Sequence, residues 1–400
     1  MPTHESTTVL VIGAGPAGLT LSQLLHRRGV SSIVVDKYAR EQILGRARAG
    51  MLEHRTVETL DRLGVSKRLH AEGHPHTHVE FRAGGESFTL DLPSFYEGRS
   101  QHIFPQQEVV QDLLDSLVEA GGDLRLGCAV TVLETSGPRP VATLADGSTI
   151  EADFVAGADG TYGVARATAP DSIREYTMQH EFRWLTLLAE APPSAPTTIY
   201  ATHERGFAGH LLRTDTVTRF HLQVPFDDTV EDWPDERIWA ELHTRLAMPG
   251  FTLNDGPIFS KNMLEMQSRV CEPMQYGRVF LVGDAAHIIT PAGGKGMNLA
   301  IADAVELDRV LREYVESGDE AVLAEYSARR LPDIWKAQEF SHTLLHTIHG
   351  YAPDAPDAAF RQRLQQARLW QLRNREAYAR DFAQSFIGPL PVDIAPEPAP

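Results

Sequence analysis

The stretch that most limits the fold lies near the start: "TTVLVIGAGPAGLTLSQLLHRRG", followed by "SSIVVDK". Val9 to Ile12 form an apolar run short enough for a buried strand, and Leu19, Leu21, Leu24 and Leu25 then follow helical spacing. Between them, Gly13, Gly15, Pro16, Ala17 and Gly18 fit the pattern GxGxxG. Glycines in that pattern permit a tight turn, close approach of a pyrophosphate and close helix–strand packing. The amides and dipole at the helix N-terminus favour phosphate. Asp36, about 20 residues further on at the tip of the second strand, stands where a ribose-hydroxyl acceptor belongs. The unit predicts dinucleotide binding on a parallel sheet. It does not separate NAD from FAD.

A chain of 400 residues exceeds what one hydrophobic core usually supports, so a second lobe or an inserted layer is expected. The texture agrees. Residues 52–72 read as a helix, "VEFRAGGESFTLDL" as a hairpin around Gly84-Gly85, and "QQEVVQDLLDSLVEAGG" as a helix closed by glycine. From about residue 175 to 270 the chain turns strand-like, with alternating β-branched and aromatic residues. The expected fold class is α/β. Residues 1–174 carry the Rossmann-type domain, with a small substrate-side segment near 75–105. Residues 175–270 are an inserted antiparallel β-sheet, 271–320 return to the first domain, 321–394 are helical, and 395–400 form a tail.

Basic residues number 37 against 54 acidic, a net charge of −17, which disfavours nucleic acid or an anionic membrane as partner. Cys128 and Cys271 show no CxxC or metal-finger spacing, so no metal site is expected and the thiols fit a reducing compartment. No apolar run reaches membrane-spanning length, and "MPTHESTT" lacks the charged and apolar regions of a signal peptide. The chain reads as cytoplasmic.

Two later stretches sharpen the cofactor. "FVAGADGTYGVAR" places Asp159-Gly160 after a strand and ends at Arg166, and "LVGDAAH" places Gly283-Asp284 after another. Taken alone, Asp284 also suits a helix-capping acid. In this order and spacing, the three motifs resemble the single-component (class A) FAD-dependent aromatic hydroxylases. "LGRARAGMLE", "FPQQEVVQDL", "IYATHERGFA", "QVPFDDTVEDW", "EPMQYGRVFLVGDAAHI", "IWKAQEFS" and "FIGPLP" extend the likeness over nearly the whole chain, and resemble the 4-hydroxybenzoate 3-monooxygenase subfamily and its fold.

The resemblance implies FAD as cofactor, NADPH or NADH and O2 as cosubstrates, and hydroxylation through a flavin C4a-hydroperoxide. It places Asp36 at the adenosine ribose with Lys37 beside it, Arg46 and Arg48 near the flavin and its pyrophosphate, Gln106 on the flavin and Asp284 on the ribityl region. Gly293, Gly294, Lys295, Gly296, Met297 and Asn298 match the loop whose amides face the isoalloxazine edge. His287 reads as support for that loop. Candidate NAD(P)H contacts are Lys37, Arg46, Arg48, Tyr162 and Arg166. Family members are often homodimers.

The pocket departs from the pattern. Tyr200 matches the tyrosine at the substrate phenol, Arg213 the arginine that pairs with its carboxylate, and Pro291 the loop proline near the reacting ring. Leu211 and His221 replace a serine and a tyrosine that assist the arginine. Phe386 replaces the second tyrosine of a proton relay, although His76 still matches the histidine at that relay's outer end. Tyr162, Gln267, Lys37 and Gln42 differ from the usual cosubstrate contacts. The expected substrate is therefore an aromatic or related ring carboxylic acid other than 4-hydroxybenzoate. 4-Hydroxybenzoate itself, and an NAD(P)H-consuming oxidase or oxidative decarboxylase on the same fold, are the alternatives.

Overall fold

A computed structural model describes residues 3–45, 50–351 and 355–389. The expectations for Arg46, Arg48 and the tail lie outside the described residues.

The strand His4–Ile12 anchors an eight-stranded sheet, pairing in parallel with Ser32–Asp36 on one side and Thr149–Gly157 on the other. Asp123–Leu126 and Val279–Leu281 extend it in parallel, and Gln275–Tyr276 closes one edge. Val9 to Ile12 are buried, as a strand covered on both faces requires. The helices Pro16–Arg27, Gln106–Glu119 and Gly296–Ser317 present Leu19, Leu21, Leu113, Leu114, Ile301 and Leu307 to the same core.

A second eight-stranded sheet is built on two long antiparallel strands, Arg174–Ala189 and Ile258–Glu272. Thr218–Gln223, Ala208–Leu212 and Thr198–Thr202 follow antiparallel, and the hairpin His78–Ala83/Glu86–Asp91 joins through a parallel pairing. Period-two alternation divides its strands cleanly. Leu185, Leu187, Ile199, Ala201, Phe220 and Leu222 form a core on one face. On the other face the register aligns Tyr200, Gly209, His221, Thr186 and Asn262 in one row. A small sheet of Met51–Leu52, Gln101–Ile103 and His74–His76 bridges the two layers.

Three local readings change. Residues 52–72 are two helices, His54–Arg62 and Lys67–Glu72, because Gly64 takes a left-handed φ of 65° and its N–H caps Asp61. Within 175–270 lies a helix, Asp235–Arg245, started by Pro234 with acids in its first turn; Ile238 and Leu242 pack on the sheet's core. His287–Ile288 pairs with the second sheet rather than the first. Among the described residues, no helix is long and apolar enough to cross a membrane.

Candidate active site

A cavity of about 1260 Å³ runs from the glycine turn after the first strand to the polar row of the second sheet. At one end the three glycines have separate duties. Gly13 has φ 113°, and a Cβ there would come within 2.2 Å of the Ala158 carbonyl oxygen. A Cβ on Gly18 would fall 1.9 Å from the Gly13 carbonyl oxygen. Both enforce backbone packing. A Cβ on Gly15 would meet nothing within 4 Å, and this open space faces the N-terminus of Pro16–Arg27. A pyrophosphate fits there. Asp36 accepts the Ala14 and Tyr38 amides, each at 2.8 Å, which fixes its carboxylate beside the turn. Lys37 lies over the Tyr38 ring, 5.1 Å from its centroid, and also lines the cleft.

Asp159 ends a strand beside this turn. Its Oδ2 accepts the Ala165 amide at 3.0 Å, and its carboxylate fills the space a Cβ on Gly163 would take. Burial pushes its pKa up. Tyr162, on the same loop, is 88% exposed at the mouth of the cleft. Arg166 does not line the cavity. It donates to Glu175 at 2.7 Å and to the Thr161 carbonyl at 2.9 Å, so it braces the loop instead. Gln42, whose Oε1 accepts the Ala39 amide at 3.0 Å, caps a short helix.

Toward the middle, Asp284 leaves the first sheet on a short turn. Its carboxylate is exposed and has no hydrogen bond among the described residues, while its carbonyl accepts Arg269 at 2.9 Å. Its neighbour His287 is buried and held by Asp303 at 2.7 Å; Asp303 also accepts the Gly283 amide and Arg330. The loop that follows is rigid by construction. Gly293 and Gly294 have φ 83° and 65°, and Cβ atoms there would strike Phe340 and Met51. Asn298 is fully buried: its amide nitrogen donates to the Met51 and Gly294 carbonyls, and its oxygen accepts the Glu53 amide, all at 2.8 Å. Lys295 lines the cavity, and its ammonium is held by Glu53 at 2.7 Å and the Phe386 carbonyl at 2.8 Å. The first turn of the 22-residue helix Gly296–Ser317, including Gly296 and Met297, also faces the cavity. Its leading amides lack intrahelical acceptors and carry the positive end of the helix dipole, a fit for the electron-rich edge of a flavin.

At the far end, Tyr200, Leu211, Arg213, His221 and Pro291 all reach the wall. Burial, with no offsetting charge, pushes the Tyr200 phenol well above the usual tyrosine range, so it stays a donor. Arg213 is 8% exposed and donates to Gln107 at 3.0 Å. Gln106, one residue earlier, opens its helix and lines the cavity. Arg219 shares the cavity; burial and the charge of Arg213 push it down to about 9, still a cation at neutral pH. The His221 ring stacks on Trp184 at 4.4 Å, and burial holds its pKa far below the usual histidine range.

Two expected pocket residues lie behind the wall. Phe386 is fully buried against Phe340, Phe382 and His76. His76 is 2% exposed, so it is not a surface histidine. Sequence reading missed Arg219, Gln107 and Thr198. Arg219 carried a usable signal, since it lies two residues from His221 on one strand and so shares its face. Thr198, two residues before Tyr200 on its strand, carried the same signal, while Gln107 depends on tertiary contacts.

This geometry defines a dinucleotide-binding protein whose cofactor cleft opens onto a cationic, aromatic-lined pocket. The comparisons are narrower. A family model described as FAD binding domain matches residues 6–341. The chain is 36% identical over 393 residues to p-hydroxybenzoate hydroxylase of Acinetobacter baylyi, covering 97% of this chain and 96% of that protein. It is 29% identical over 337 residues to rifampicin monooxygenase of Streptomyces venezuelae, covering 81% and 68% respectively. Among solved structures, p-nitrophenol 4-monooxygenase PnpA from Pseudomonas putida superposes with a TM-score of 0.81 at 20% identity, covering 97% of this chain and 99% of that one. The flavin-dependent monooxygenase PieE, solved with FAD and substrate, gives 0.75 at 22% identity, covering 96% and 71%. The chain belongs to the class A FAD-dependent aromatic hydroxylases, with the mixed α/β fold of that family.

Proposed function

We propose that this monooxygenase uses NAD(P)H and O2 to hydroxylate an aromatic or related ring carboxylic acid other than 4-hydroxybenzoate. The observation that carries the reading is the wall itself. Two guanidinium groups, Arg213 and Arg219, stand in the same cavity as the protonated phenol of Tyr200, beside the flavin loop. A planar guanidinium matches a carboxylate bidentately. The likeness to a hydroxybenzoate hydroxylase supports a ring acid. Leu211, the neutral His221 and the withdrawn Phe386 argue that the ring differs from 4-hydroxybenzoate.

Bound FAD supplies electron transfer from the nicotinamide and activation of O2. In this reading the chain's residues do the rest. Gly15, Asp36 and Asp284 hold the dinucleotide, and the amides of Gly296 and Met297 receive negative charge at the ring edge. Arg213 fixes the substrate carboxylate, Tyr200 donates to a ring oxygen, and Pro291 closes the wall. Tyr162 and Lys37, at the mouth, are where the nicotinamide cosubstrate docks. NADPH is the first expectation, and kcat/KM with each cosubstrate decides it.

The test is a screen of hydroxy- and amino-hydroxybenzoates and other ring acids. NAD(P)H consumption and the mass of product formed under 18O2 are followed together. One ring acid should stimulate consumption and gain one labelled oxygen. Efficient, tightly coupled turnover of 4-hydroxybenzoate would refute the substrate assignment, and consumption without label would refute hydroxylation.

A further inference from the structure

Arg213 reaches the cavity from the end of one layer, and a residue of the other layer holds it there. It follows the strand Ala208–Leu212 of the second sheet. Gln107 is the second residue of the helix Gln106–Glu119, which packs on the first sheet. The two meet across the cleft, where Arg213 Nη2 donates to Gln107 Oε1 at 3.0 Å. A guanidinium has donors and no acceptor, so the amide must turn its oxygen toward it. Oxygen and nitrogen leave the same carbon of an amide, so fixing Oε1 on the guanidinium sets Nε2 beside it. That nitrogen carries two N–H groups and has no acceptor among the described residues. It is not sealed inside the protein either: Gln107 is partly buried and lines the cavity together with Arg213.

The charge of the holding group matters as much as its reach. Glu108, next in the chain, raises the Arg213 pKa against burial, but its carboxylate is engaged by Arg68. The oxygen set on Arg213 by Gln107 is uncharged, so the clamp fixes the guanidinium without neutralising it. Arg219, in the same cavity, is pushed down by burial and by the charge of Arg213. A carboxylate between the two cations relieves both. Leu211, two residues before Arg213, adds only hydrocarbon to that wall.

We propose that Gln107 is the residue that makes this pocket specific for an acid group: it holds Arg213 by its oxygen and donates Nε2–H to the carboxylate that Arg213 binds. The inference rests on the ring-acid reading above. The carboxylate then spans donors from both layers, the guanidinium of the second sheet and the amide of the helix Gln106–Glu119. Because Gln107 is uncharged, the guanidinium keeps its full preference for anions. An uncharged ring of the same shape gains neither the charge attraction nor a strong hydrogen bond from the amide. Gln107 thus separates ring acids from neutral rings, while Tyr200, elsewhere on the wall, answers to the ring's own oxygen.

The test uses the FAD-loaded protein with two probes, benzoate and its uncharged isostere nitrobenzene. Binding is read from the change in flavin absorbance in the parent, Gln107→Met and Gln107→Glu. FAD affinity and melting temperature show that each variant is folded and loaded. Gln107→Met keeps the length of the side chain and removes both amide groups. It should weaken benzoate about tenfold or more, the scale of one hydrogen bond to a charged group, and leave nitrobenzene within about threefold. Gln107→Glu keeps an oxygen on Arg213 but adds charge and removes the donors. It should weaken benzoate by at least about 100-fold, with nitrobenzene again within about threefold. Unchanged benzoate affinity in Gln107→Met would overturn the proposal. An equal loss of both probes in that variant would also overturn it, assigning Gln107 to packing. So would a Gln107→Glu protein that binds benzoate as tightly as Gln107→Met does. Equal affinity of the parent for the two probes, or no binding of benzoate, would instead overturn the ring-acid reading, and the proposal with it.

Discussion

Replacing Gly15 with alanine separates cofactor binding from folding. The backbone at Gly15 is extended, with φ −84° and ψ −175°, a conformation any residue adopts. A Cβ there meets no atom within 4 Å. The FAD-free variant should therefore match the parent within about 0.5 kcal/mol, as surface substitutions usually do. In the loaded protein the new methyl group occupies the space through which a pyrophosphate oxygen reaches the helix amides. Displacing one charge-assisted hydrogen bond costs about 1.5–3 kcal/mol, or roughly 10- to 100-fold in Kd. Two controls set the scale. Gly18→Ala drives a Cβ to 1.9 Å from the Gly13 carbonyl oxygen, and Gly13→Ala to 2.2 Å from that of Ala158. Both should lower the melting temperature without FAD. The assay is thermal unfolding of the FAD-free proteins beside titration of FAD by fluorescence. Unchanged FAD affinity in Gly15→Ala, or a loss of melting temperature equal to that of Gly18→Ala, would refute the division of roles among the three glycines.

Acid should unfold the protein through three buried histidines. His76, His210 and His349 are held neutral by burial, at about 4, about 4 and about 3. His210 and His349 also use Nε2 as an acceptor, from the Ser194 amide and the Trp184 indole respectively, a role an imidazolium cannot fill. With folded pKa values below an unfolded value of about 6.5, their contribution is complete above that pH and lost as pH falls toward 4, at up to about 1.4 kcal/mol per unit for each. Urea titrations at successive pH values check this; a flat midpoint across that window contradicts it. Lys295→Met leaves Glu53 buried with Arg55 as its remaining cation at 2.9 Å, and should cost about 3 kcal/mol in the same assay. Arg213→Lys keeps the charge but loses the planar fork; it should raise KM for the ring acid about tenfold or more while FAD affinity holds, as steady-state kinetics and FAD titration would show.

Legibility followed the range of the contacts. The glycine turn and Asp36 were readable because their constraints act within a single strand–turn–helix–strand unit. The flavin loop was singled out through its likeness to the family; the sequence did not show that the Asn298 side chain ties Met51, Gly294 and the Glu53 amide. Nor did it show that Lys295 pairs with a glutamate far away in the chain. Arg219 and Thr198 were within reach of a period-two reading from His221 and Tyr200, whereas Gln107 comes to the wall only through its contact with Arg213, which leaves no local pattern. The helix Asp235–Arg245 was hidden by strand-like sequence on both sides. Phe386 was singled out through the likeness to the family, but only packing reveals that its ring stacks on His76 and does not line the cavity.

The Phe386 carbonyl gathers the Lys295 ammonium from the flavin loop and the Gln101 amide from the small sheet. The helix Glu376–Ile387 is thus a brace for the ring end of the cleft: disturbing its seat would loosen the flavin loop and the small sheet together through one carbonyl, while the glycine turn, held by Asp36 and Ala158, would keep its own supports.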